Sequence, residues 1–111
     1  MPERRKSISK SRLRKMIEEA IVDCYNDDEQ HEAFVVMLEE HLQCPLQAQV
    51  IGGEVTVLGF EREDFLGEIL ARCRRGRHVY RINVTALEWP GRPPKGSEWI
   101  EAYQAWRRGG W

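Results

Sequence analysis

The hydrophobic period of this chain changes at Pro45, and that change limits what the chain can fold into. Before Pro45, apolar residues recur every three or four positions; after it, they alternate. Leu13, Met16, Ile17, Ala20, Ile21 and Cys24 form one helical stripe, with Ser9 or Ser11 available as its cap. A second stripe, Ala33, Phe34, Met37, Leu38 and Leu42, lies beyond Asn26, and Asn26 with Glu29 three residues on matches a capping box. Two amphipathic helices joined by so short a connection predict an antiparallel helical hairpin.

Downstream, "LQAQVI" alternates, Gly52–Gly53 offers a turn, and "EVTVLGF" reads as a second strand leading into the acidic loop "EREDFLG". "EILARCRR" puts Ile69, Ala71 and Cys73 on one face; Gly76 turns the chain, and "VYRINVTAL" returns. Four to five short strands with tight turns predict a strongly curved antiparallel β-sheet or an SH3-like barrel. "WPGRPPKG" cannot be regular structure, with three prolines and two glycines in eight residues. Ser97 then caps a short C-terminal helix whose face of Trp99, Ile100, Tyr103 and Trp106 is expected to dock on the barrel. The expectation is α+β: residues 1–10 a basic flexible tail, 11–108 a single domain, and 109–111 frayed.

A chain of 111 residues can bury a modest core without staples. Cys24, Cys44 and Cys73 form no CxxC pair and no spaced set with His31, His41 and His78, so they read as reduced, mostly buried thiols. No apolar run approaches the roughly 20 residues of a membrane span. The basic N-terminus lacks the apolar stretch of a secretion signal, so the chain is expected to be cytoplasmic.

Net charge is −1, but the charges are segregated. Residues 1–15 carry seven basic groups, residues 18–40 carry nine acidic groups and no lysine or arginine, and residues 72–95 carry seven basic groups against Glu88. The field is therefore that of a dipole.

The acid-only run is densest in "VDCYNDDEQHE", from Val22 to Glu32. Clustered carboxylates repel one another until a cation neutralises them, and calcium takes six to eight oxygens at about 2.3–2.6 Å in irregular geometry. Asp23, Asp27, Asp28 and Glu29 qualify on charge, beside the unpaired carbonyls at the end of the first helix. The loop with Glu61, Glu63, Asp64 and Glu68 is the natural second contributor. No EF-hand is present, because no glycine interrupts residues 16–51. The same first-turn acids are equally what the helix dipole favours on a solvated face.

The arginines support a rival reading. "RCRRGRHVYR" places Arg72, Arg74, Arg75, Arg77 and Arg81 on one hairpin near Tyr80, which are the makings of a nucleic-acid-binding surface. A third reading pairs the basic tail of residues 4–15 with the acidic patch, within the chain or on another copy. Catalysis lacks a motif: there is no G-x-S-x-G, P-loop or H-E-x-x-H, so an enzyme is not expected.

"IVDCYNDDEQ…MLEEHLQCPLQAQVI", then "GGEVTVLGFEREDFLGEILARC" and "INVTALE", resembles the cyanobacterial calcium-binding protein (CcbP) family. The resemblance lies in the order of segments: Val22–Tyr25, the Glu29–Gln30 pair, Leu38–Glu40, Cys44–Pro45–Leu46, and the strand Val55–Gly59 before an acidic loop. It implies a bacterial protein with a helical N-terminal part on a small β-barrel. Calcium would be its cofactor and partner, held by the surface carboxylates Asp23, Asp28, Glu29, Glu63 and Asp64. On these readings the chain is a monomeric calcium buffer or signalling modulator, with any protein partner unidentified.

Overall fold

The computed structural model describes residues 8–62 and 68–111. Helix α1 runs Lys10–Ile21 and helix α2 Asp27–His41. Strands β1 (Leu46–Val50), β2 (Gly53–Arg62), β3 (Ile69–Arg75) and β4 (His78–Asn83) follow, then a 3-10 turn at Val84–Ala86 and helix α3 (Glu98–Arg108). The caps expected for α1 and α2 are in place. The Ser9 side chain accepts the Arg12 N–H at 3.1 Å, and that of Asn26 accepts the Glu29 N–H at 2.8 Å.

The four strands form one antiparallel sheet in the order β1-β2-β3-β4. Its inner face carries Ala48, Val50, Val55, Val57, Phe60, Ile69, Ala71 and Cys73, all buried. These pack with Ile17, Phe34, Leu38, Leu42 and Tyr103 from the helices into one core. The alternation expected for β3 is the one observed.

Of the sheet and the barrel expected, the structure shows a sheet, with four strands and not closed into a barrel. After Asn83 the chain leaves extended geometry, because the Asn83 side chain accepts both the N–H and the hydroxyl of Thr85 and caps the 3-10 turn. The returning segment meets β1 only at Glu88, which exchanges two 2.8 Å backbone bonds with Gln49 before Pro90. Prolines have no N–H to extend that pairing. The C-terminal helix, expected on the barrel, packs mainly on α1 and α2. It reaches the sheet through the Tyr103 hydroxyl, which accepts the Ile69 N–H at 3.2 Å. Ser97 occupies the α3 N-cap without a side-chain capping bond. Gly109 and Gly110 turn the chain at φ 77° and 73°, and Trp111 is partly buried against the core.

The first hairpin turn is one residue earlier than the glycine pair suggests. Val50 pairs with Gly53, leaving Ile51 (φ 48°) and Gly52 (φ 73°) as the turn. Positive φ at both central positions is the type I′ pattern, which suits a right-twisted hairpin and favours Asn-Gly. Ile51 is β-branched and 95% exposed, so it bears the strain with no burial in return. Ile51→Asn is expected to stabilise the fold by about 1 kcal/mol. The urea midpoint checks this, and an unchanged or lower midpoint refutes it.

Of the cysteines, Cys73 is fully buried, while Cys24 and Cys44 are only half-buried. Partial burial first, then the Glu29 and Asp23 carboxylates, push the Cys24 thiol above its ordinary pKa, so it stays protonated. Among the described residues no helix is long and apolar enough to cross a membrane.

Candidate metal centre

The α1–α2 connection carries the acid-rich segment on the surface. Asp23, Asp27, Asp28 and Glu29 are all exposed, as is Tyr25. Part of the cluster is helix capping. The Glu29 carboxylate accepts the Tyr25 N–H at 3.0 Å while the Glu29 N–H is held by Asn26. This capping box is closed one residue earlier than usual. Asp23 and Asp27 make no ion pair with a described residue.

Asp28 is engaged differently. Arg62, the last residue of β2, reaches across to the first turn of α2. Its Nη2 lies 2.5 Å from Asp28 Oδ1 and its Nη1 donates to the Asp28 carbonyl at 3.2 Å. Nη1 also lies 3.7 Å from Glu32 Oε2, one turn further along α2. The hydrogen bond from Arg62, and then its charge, hold the Asp28 carboxyl below the usual carboxylate range. Among the described residues, the buried Arg62 Nε meanwhile has no hydrogen-bond partner.

Glu61 pairs with Arg81 at 2.5 Å. Glu68 accepts from Asn83 Nδ2 at 2.9 Å and pairs with Arg107. Glu63 and Asp64 lie outside the described residues. Among the described residues no three carboxylate, imidazole or thiol groups converge as a metal site. What the described residues bring together is Asp28 Oδ1, the Asp28 carbonyl and Glu32, gathered around one cationic group. These are hard oxygen donors, which fits calcium chemistry.

Two residues that sequence reasoning passed over organise this region. Arg62 is the lone base in "EREDF", and that isolation was its signal. His31 completes the buried stripe His31, Phe34, Val35 and Leu38 at helical spacing. It is 4% exposed, and its Nε2 lies 2.9 Å from the Tyr103 hydroxyl. Trp106 packs edge-on against the imidazole at 5.1 Å, and its indole N–H donates to Gln30 at 2.9 Å, fastening α3 to α2. Burial above all, then the charges of Arg62 and Arg107, lowers the His31 pKa to about 4. The imidazole is neutral at pH 7.

The basic residues form a separate surface. Arg72 and Arg81 face each other across β3 and β4, and Arg74 shares their outward face. Arg75 and Arg77 flank Gly76 at the hairpin tip, and all five are exposed. Tyr80 does not join them. It sits opposite Cys73 on the inner face, partly buried against the core, so this face lacks the aromatic expected to stack a base.

Helices on one face of a four-stranded antiparallel sheet, with an acid-rich helix junction beside one sheet end, make this a small α+β protein with a carboxylate-rich surface. The sequence pattern of the calcium-binding CcbP family matches residues 14–107, and the chain belongs to that family. The crystal structure of Anabaena CcbP is similar in fold, with a TM-score of 0.76 at 19% identity, over 100% of this chain and 98% of that one. No curated protein sequence matches this one.

Proposed function

We propose that this protein binds calcium through surface carboxylates at the α1–α2 junction, as a buffer or signalling modulator. Asp23, Asp27, Asp28 and Glu29 are the proposed ligand positions, with Glu63 and Asp64, which directly follow Arg62 in sequence. Membership of a calcium-binding family supports the ion. The observation that carries the location is that oxygens of Asp28 and Glu32 already converge on a cation, the Arg62 guanidinium. Glu32 therefore joins the proposed set. When bound, calcium would relieve the repulsion among these carboxylates. The chain's own part is to hold Asp27, Asp28, Glu29 and Glu32 on the first turns of a capped helix.

Calorimetric titration of chelator-stripped protein with calcium is expected to give heat. The melting temperature should rise too, since a ligand at a hundred times its Kd adds about 2.7 kcal/mol of stability. Asp28→Asn is expected to weaken binding about tenfold, as loss of one close charge does. Absence of both heat and thermal stabilisation at millimolar calcium overturns the proposal.

A further inference from the structure

We infer that Arg62 is a tethered cation that competes with calcium for the oxygens at the start of α2, and so sets the calcium level to which this protein responds. This inference rests on the calcium-binding reading above.

The geometry makes the competition direct. Asp28 and Glu32 are four residues apart and share one face of α2. The two amino groups of Arg62 cover Asp28 Oδ1, the Asp28 carbonyl oxygen and the near side of Glu32. An ion coordinated by Asp28 Oδ1 or by that carbonyl needs the lone pairs these N–H groups use, and it adds like charge beside a guanidinium. Arg62 must swing away for such an ion to bind.

The rest of the surroundings do little to keep Arg62 in place. Among the described residues the buried Nε has no partner, an arrangement that withdraws a donor from water without compensation from them. The oxygens of Asp28 and Glu32 are what hold the guanidinium there. A group held by charge is one that a divalent ion of higher charge can displace. An arginine is ionised at every accessible pH, so Arg62 itself is not switched by protonation, and near neutral pH the competition depends on calcium and ionic strength.

The test compares calcium titrations of wild type, Arg62→Gln and Arg62→Lys by calorimetry, with the Arg62 side-chain Nε–Hε NMR signal followed in the wild-type protein. Arg62→Gln is expected to bind calcium about tenfold more tightly than wild type, and Arg62→Lys to stay within about threefold of it. The Arg62 signal should move in step with calcium occupancy. Equal affinities in wild type and Arg62→Gln, or an Arg62 signal unmoved at saturation, overturn the inference and leave calcium binding intact. No heat from any of the three proteins overturns the calcium reading itself, which separates the two failures. The NMR measurement needs no substitution, so the inference stays falsifiable if a variant folds poorly.

Discussion

Gly96→Ala is expected to destabilise the protein by about 3 kcal/mol or more, the largest effect of any small substitution here. Gly96 has φ 99°, a conformation L side chains rarely adopt. A Cβ at this position would lie 2.1 Å from the carbonyl oxygen of His41 and 2.5 Å from its carbonyl carbon. These are backbone atoms at the last residue of α2, so no side chain can move aside. Either the loop lifts off α2 or the end of α2 unwinds. Both would disturb the start of α3, where the Trp99 N–H donates to the Gly96 carbonyl at 3.0 Å and the Trp99 ring stacks on His41 at 5.0 Å. Gly91→Ala is the control, since a methyl group on Gly91 would meet nothing within 4 Å and its φ is not positive. Urea unfolding of the two variants measures the difference. A Gly96→Ala cost below about 1 kcal/mol would show that α3 does not depend on this contact.

Acid should weaken the fold before its carboxylates titrate, through His31. The unfolded chain takes up a proton on this residue near pH 6.5, whereas the folded state resists until about pH 4. Full stability is therefore present above pH 6.5. It falls as the unfolded state gains the proton, and this contribution levels off below pH 4. The total loss is about 3 kcal/mol. The groups facing the imidazole are Tyr103, Trp106 and Arg107 on α3, Arg62 on β2, Glu68, and Asp28 on its own helix. Arg62 and Arg107 oppose the extra charge, while Glu68 and Asp28 favour it. The Asp28 pKa is itself lowered, so its contribution is present above the ordinary carboxylate range and lost only at lower pH. The two effects thus occupy separate windows. Urea unfolding at about pH 7, 5.5 and 4.5 should show a steeper loss for wild type than for His31→Gln. Parallel curves would mean that His31 takes up its proton at the same pH in the folded protein as in the unfolded chain.

The two ends of the acidic cluster differ in how far the sequence reveals them. Asn26 and Glu29 could be read as a cap because capping is settled within four residues, and the structure keeps that cap. The partner of Asp28 could not be read. Arg62 lies 34 positions away, and its reach depends on β2 running on past β1 to end beside α2. Charge segregation marked the acidic region, but not which acids are already matched.

By itself the sequence determined the elements: two helices before Pro45, alternating strands after it, the buried face of β3, and a short amphipathic helix at the end. Period, caps and turn residues act over a few positions, so they can be read locally. Only the tertiary structure decided that the sheet stays open at four strands, that α3 lies mainly on helices, and that Tyr80 turns away from the arginines. It alone decided that His31 is buried and that Arg62 occupies the acidic junction. Each of these depends on which surfaces meet after folding, and that is set by packing between segments far apart in the chain.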